Sequence, residues 1–417
     1  MMSSNSNQRR NVIKMLGAGA VAATGLTSGG AAFSQERSED FVLASVLPLS
    51  GGFAQYGLEI ARGIELAVEA VNKKGMRIGG KTYRIQLKTY DDKTDATTAA
   101  RLTERAATND GAHIVMAGCG STIAKSIIPV AQRLRVPMMA QWAQVDGVFV
   151  GQKGNPFLFG TMPAFSRMYD NIWPEFTQLK NPQLKTVVMV TPNDELGVFM
   201  ARDLPATLEK HGLKHLHTEM FPPTSQDFGA TLERCSRHNP DILLINCYTP
   251  QIISIFKQMQ AVQFFPAGII VEAPTRLFES IGPGINGAFV PSFWAPTLTG
   301  TKDDYIGTSR EFSALYQAKH KVAPPDFVAA CGAANVMVMA QVAAKAGSIT
   351  DAKALLDAFR NFDGQTFFSQ TKYGDDGLNV KAPIFGAQFQ DGKVELVHPA
   401  GVKQKNSLHP YPGWKKA

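Results

Sequence analysis

Apolar positions along this chain recur with two alternating periods. Phe41 to Leu47 is a mostly apolar run of strand length. After it, Ile60, Ile64, Ala67, Val68 and Val71 repeat at helical spacing, and Gly75 is placed to end that helix. From Tyr83 to Tyr90, Ile85, Leu87 and Thr89 alternate with Arg84, Gln86 and Lys88, which predicts a half-exposed strand. A helix follows over Thr94–Thr108. The stretch from His113 then turns through Gly118-Cys119-Gly120 into a stripe of Ile123, Ile127, Val130, Ala131 and Leu134, and a strand is expected at Pro137–Gln141. A Gly/Pro-rich passage, residues 147–163, precedes a second series. Its strands are predicted at Thr186–Val190, His215–Phe221, Asp241–Tyr248 and Gly268–Val271, with helices at Leu196–Lys210, Phe228–Arg237 and Gln251–Gln263 between them. A further strand crosses at Val290–Pro296. Helices over Tyr305–Lys319, Phe327–Ala346 and Thr350–Asn361 and strands at Ile384–Gln390 and Val394–Val397 complete the pattern. Strand–helix repeats of this kind predict an α/β protein with mainly parallel sheets flanked by helices, and two series predict two lobes.

The first chemistry to look for lies at the Gly118-Cys119-Gly120 turn. Ser121 or Thr122 is expected to cap the helix that follows, whose free N–H groups suit a carboxylate or phosphate at a sheet edge. A dinucleotide fingerprint would need glycine where Ile123 stands, and no phosphate-binding loop of the G-x-x-x-x-G-K-[ST] kind occurs. Cys119 or Ser121 could serve an exported amidase or other hydrolase only with a base nearby, which no motif supplies. His211, His215 and His217 read as ordinary histidines at a helix end and on a strand rather than as metal ligands, and Met337 and Met339 as core filling. Phe53, Tyr56, Trp142 and Tyr248 each follow a predicted strand, so they are expected to line a pocket at the same edge as Ser121.

Composition narrows the class. The chain has 417 residues, 44% of them hydrophobic, which is enough for more than one full core. The N-terminus reads as an address: Arg9-Arg10-Asn11-Val12-Ile13-Lys14, a Gly/Ala-rich stretch, then Ala32-Phe33-Ser34 before a cleavage point. This resembles a twin-arginine export signal, so residues 1–34 are expected to be removed by way of that export machinery, leaving the protein in the periplasm. No later run of about 18 consecutive apolar residues predicts a membrane span. Removing Arg9, Arg10 and Lys14 takes the formal charge from +7 to +4, with the basic residues dispersed, so no nucleic-acid partner is expected. Cys119, Cys235, Cys247 and Cys331 fall in apolar settings and are expected to be buried free thiols.

One resemblance organises these features. Val46-Leu47-Pro48-Leu49-Ser50-Gly51-Gly52-Phe53-Ala54-Gln55-Tyr56-Gly57, the Gly63–Gly75 helix and Tyr90-Asp91-Asp92 resemble the start of a periplasmic branched-chain amino-acid-binding protein, with likeness continuing to about Gly392. These are the type I solute-binding proteins of ABC importers. The resemblance implies two lobes joined by three hinge crossings: residues 36–163 with 292–382, and residues 164–291 with 383–417. It implies no cofactor and no catalysis, a monomer, a small carboxylate-bearing solute as ligand and an ABC permease as partner. That solute would be a branched-chain or other apolar amino acid, or a related aromatic or aliphatic acid. Residue by residue, the family's ligand contacts fall on Tyr56, Ser121, Trp142, Ala143, Gln144, Leu196, Tyr248, Glu272 and Phe327. Ser121 would hold the carboxylate and Glu272 the ammonium, unless Glu272 instead pairs with Arg276 at the surface. Trp142 and Gln144 depart from the family's small residue and Thr, and Leu196 replaces a tyrosine. Thr94 takes one cysteine position of the family's disulfide, which therefore cannot form. A ligand sensor of the same fold is the remaining alternative.

Overall fold

The computed structural model describes residues 39–178, 183–272 and 277–412. The export signal predicted over residues 1–34 lies outside the described residues, as does Arg276. The first series folds into β1 (Glu39–Leu47), α1 (Ala54–Lys74), β2 (Met76–Ile78), β3 (Lys81–Asp91), α2 (Ala96–Thr108), β4 (Ile114–Ala117), α3 (Ser121–Leu134), β5 (Met138–Ala140), α4 (Asp146–Phe149) and β6 (Leu158–Gly160). Its six strands form one sheet in the order β2-β3-β1-β4-β5-β6, parallel except for the β2–β3 hairpin. After α5 (Trp173–Thr177) the second series gives β7 (Thr186–Pro192), α6 (Glu195–Lys210), β8 (Lys214–Phe221), α7 (Gly229–Ser236), β9 (Ile242–Ile245), α8 (Thr249–Ala261), β10 (Gly268–Val271), α9 (Leu277–Ile281) and β11 (Phe289–Ser292). Helices α10 (Ser309–His320), α11 (Phe327–Ala346) and α12 (Ala352–Arg360) precede a small hairpin, β12 (Asp363–Gln365) and β13 (Gln370–Lys372). Strands β14 (Phe385–Gln390) and β15 (Lys393–His398) then close the second sheet, ordered β15-β14-β11-β10-β9-β7-β8.

The two sheets are the cores of two lobes. The central strands β4, β5, β9 and β10 are buried at every residue, as expected of parallel strands covered on both faces. The partly exposed β3 instead buries Tyr83 and Ile85 and exposes Arg84 and Gln86. Although α10 and α11 lie between β11 and β14 of the second sheet in sequence, they pack on α1 of the first lobe. The chain therefore crosses between lobes three times: between Gly160 and Thr186, between Ser292 and Ser309, and between Tyr373 and Phe385.

Helix α11 is long and apolar enough to cross a membrane by length and composition, yet 89% of its most apolar window is buried within the protein. It meets α1 at backbone distance. A Cβ on Gly63 would lie 2.0 Å from the carbonyl oxygen of Ala329, and one on Gly332 would lie 2.7 Å from that of Ile60. Glycine is the residue that allows this approach.

One helix start differs from expectation for a local reason, and two short strands were not expected. The helix predicted from Tyr305 begins at Ser309, because the Asp303 carboxylate takes the Tyr305 and Ile306 N–H groups into a turn. Thr308 then starts the helix with a capping box to Glu311. The three-residue strands β2 and β6 are too short to show a period in the sequence. All four cysteines are buried and free, and Thr94 hydroxyl hydrogen bonds tie the first loop together at Phe53 N and Ser50 O.

Candidate functional site

The first-lobe wall is built from the turn between β4 and α3. Gly118 and Gly120 adopt φ of +81° and +94°, which lets the chain reverse directly into the helix. Gly120, not Ser121 or Thr122, is the N-cap, and no side chain caps α3. The expected hydroxyl cap is thus corrected: the glycine turn brings the chain straight into helical geometry, and Ser121 becomes the first helical residue. Its hydroxyl is left to accept a long bond, 3.4 Å, from Val145 N. The first N–H groups of α3 have no partner within the helix and face the same side.

The loop after β5 completes this wall. Trp142 O accepts from Gly120 N at 2.9 Å, and Gln144 O accepts from Phe165 N at 2.8 Å. Between these ties Trp142 sits at φ +97°, a left-handed conformation that costs a bulky residue about 1–3 kcal/mol. In that conformation the indole lies against the Tyr56 ring, with centroids 4.4 Å apart.

The second-lobe wall comes from strand ends of the other sheet. Asp194 caps α6 by accepting from Leu196 N and Gly197 N at 3.0 and 3.2 Å, and its other oxygen accepts from the Tyr248 hydroxyl at 2.8 Å. Burial raises the pKa of Asp194 and, with help from Asp194, that of Tyr248. Glu272 follows β10, its N–H held by Ile245 O at 3.2 Å. Burial pushes its carboxyl up to about 8, the nearby Asp194 charge adds to this, and the Asn246 side chain opposes it.

Between these walls lies a cavity lined by Gly120, Ser121, Trp142, Ala143, Gln144, Val145, Phe165, Leu196, Cys247, Tyr248 and Glu272. Seven of the nine residues singled out in the sequence meet here. The other two stand outside the lining. Phe327 begins α11 and packs edge-on against Phe293 at 5.1 Å. Tyr56 is buried, and its hydroxyl bonds Thr249 across the lobes, at 2.7 Å to Oγ1 and 3.0 Å from the α8 N–H. Phe53 and Tyr248 also meet across the lobes at 4.5 Å, and Lys125 pairs with Glu195 at 2.5 Å. These aromatics therefore come from two facing lobes rather than from one sheet edge, and Tyr56 stands in the first turn of α1.

Phe165, Cys247 and Asp194 were not singled out. Phe165 lies in the first crossing, and Asp194 shows only as an N-cap in sequence, so neither carried a signal of its own. Nothing in this geometry activates a nucleophile. Cys119 is fully buried, and burial, with the Asp92 charge, drives its thiol well above its ordinary value. Among the described residues no group of three His, Cys, Asp or Glu could hold a metal ion.

Comparison with known proteins agrees with this arrangement. A family model described as periplasmic binding protein matches residues 42–393. The chain belongs to the periplasmic binding protein family. It is 23% identical over 376 residues to Leu/Ile/Val-binding protein homolog 8 of Brucella abortus (strain 2308), covering 86% of this chain and 91% of that protein. Among solved structures it resembles the branched-chain amino acid transporter substrate-binding protein LivJ of Streptococcus pneumoniae in complex with isoleucine. That match has 21% identity, 87% of this chain, all of that one and a TM-score of 0.72. It equally resembles a solute-binding protein of an R. palustris ABC transporter in complex with benzoate, at 18% identity, 86% and 95% coverage and a TM-score of 0.72. These relatives are solute-binding proteins, not enzymes, and the fold they share is the two-lobed α/β fold described above.

Proposed function

We propose that this protein is the periplasmic solute-capturing component of an ABC importer, and that its ligand is an amino acid bound as a zwitterion between the lobes. The twin-arginine machinery would export it through the signal at residues 1–34, and a membrane ABC permease would receive its closed form. The lobes would be residues 36–163 with 292–382, and residues 164–291 with 383–417. Ser121 and the α3 N–H groups would take the carboxylate, while Glu272 would take the ammonium. Trp142, Ala143, Leu196 and Tyr248 would surround the remainder.

The observation that carries this reading is the charge arrangement of the cavity. One wall offers a helix N-terminus with a hydroxyl and the other a carboxylate, and among the described residues no Lys or Arg stands in the lining. A bare carboxylic acid such as benzoate would leave Glu272 protonated and without an ionic partner, whereas a zwitterion satisfies both walls. Closure would follow from differential affinity: only a solute that touches both lobes stabilises the closed state.

A thermal-shift screen over the amino acids, simple amides and benzoate tests this. A ligand at about 100 times its Kd adds about 2.7 kcal/mol of stability. Stabilisation by an amino acid supports the reading; stabilisation by benzoate alone would replace it with an aromatic-acid carrier.

A further inference from the structure

Gln144 is 3% exposed and lines the cavity, yet among the described residues neither its Oε1 nor its Nε2 has a hydrogen-bond partner. An amide buried in this way is costly unless something satisfies it, and native proteins rarely keep one without a reason. Its backbone is fixed on both sides, by the bond from Phe165 N to its own carbonyl and by that from Val145 N to Ser121 Oγ. The side chain is therefore presented by a rigid loop. The lining also includes the apolar side chains of Ala143, Val145, Phe165 and Leu196. In the reading above, Ser121 and Glu272 already match the two charged ends of an amino acid, so the amide is a neutral donor–acceptor pair in surplus.

We infer that Gln144 selects the ligand's side chain, and that the solute is an amino acid bearing a neutral donor–acceptor group, a carboxamide, rather than a purely aliphatic one. The side chains of leucine and asparagine have nearly the same shape, so size alone does not separate them. A paired carboxamide would satisfy Oε1 and Nε2 together, whereas an isopropyl group would leave both orphaned. A site built around such a bond discriminates strongly against the analogue that lacks it. This inference rests on the amino-acid reading.

The test is calorimetric titration of the mature protein with L-asparagine, L-glutamine and L-leucine, repeated on Gln144→Met. The wild type should bind one of the two carboxamides about tenfold to a hundredfold more tightly than leucine. Gln144→Met, which keeps the length and removes the polar pair, should reverse that order with an unchanged or raised Tm. Tighter leucine binding by the wild type would overturn the inference without any variant. Equal weakening of all three ligands in Gln144→Met would overturn it too, since Gln144 would then be touching the charged ends they share. Leucine that binds the wild type more tightly than either carboxamide, and is lost in Glu272→Gln, would leave the amino-acid reading standing while the carboxamide assignment falls. Binding by none of the three would remove both.

Discussion

The Glu272 carboxyl titrates where the protein works, and this gives the sharpest prediction. Its pKa is raised from 4.5 to about 8 by burial and by Asp194. In the empty cleft at neutral pH it is therefore mostly protonated. The folded state then holds a proton that the unfolded state releases, so stability is fully present below about pH 4.5 and falls as pH rises toward about 8. At about 1.4 kcal/mol per pH unit, the whole window is worth at most roughly 5 kcal/mol. Glu272→Gln keeps the shape and cannot ionise. It should match the wild type near pH 4.5 and be the more stable of the two above pH 8.

Ligand reverses the preference. A bound ammonium favours the carboxylate, so binding at pH 7 should expel close to one proton, and affinity should rise with pH up to about 8. Titration calorimetry in buffers of different ionisation enthalpy measures that proton directly. Glu272→Gln should abolish the release and weaken binding by about 2–5 kcal/mol. Heat that does not depend on the buffer, together with unchanged affinity in Glu272→Gln, would refute the placement of the ammonium at Glu272.

Four further outcomes are expected. Ser121→Ala should weaken binding by about 1–3 kcal/mol through loss of a charge-assisted hydrogen bond, measured by calorimetry. Ligand should change the tryptophan fluorescence, and Trp142→Phe should remove most of that change, since its indole lines the cavity. Tyr56→Phe removes the bond that closes the lobes onto Thr249; it should weaken ligand binding by about 0.5–1.5 kcal/mol and shift ligand-free protein toward an open form by small-angle scattering. Gly63→Ala drives a methyl into the Ala329 carbonyl; it should cost about 1–3 kcal/mol or more by denaturant titration, with little effect on affinity.

The alternation of apolar periods was enough to place most strands and helices, because buried parallel strands and one-sided helices leave opposite signatures. It failed where geometry is made by side chains rather than by period. Tyr305 to Thr308 fit a helical period, yet the Asp303 carboxylate holds the Tyr305 and Ile306 N–H groups in a turn. The Ser121 region was legible as a helix start at a sheet edge, but the capping residue was not, since two positive-φ glycines set the turn and leave α3 without a side-chain cap. The site residues were named from family likeness, and likeness carries positions rather than orientations. Tyr56 keeps its position but gives its hydroxyl to the opposite lobe. The orphaned amide of Gln144 is a fact of packing, invisible in the sequence around it.

The central claim is that one solute is held by opposite charges on opposite lobes. Its most direct measurement is titration calorimetry of the mature wild type with an amino acid and that compound's two truncated analogues. L-leucine, 4-methylpentanoate and 3-methylbutylamine form one such set; L-asparagine with its deaminated and decarboxylated counterparts forms the other. In at least one set the intact zwitterion should bind with one-to-one stoichiometry, and both truncated compounds should be at least about a hundredfold weaker, a loss of about 2.7 kcal/mol each. A deaminated acid that binds as tightly as its parent amino acid would contradict the account, because Glu272 would then have no ammonium to hold.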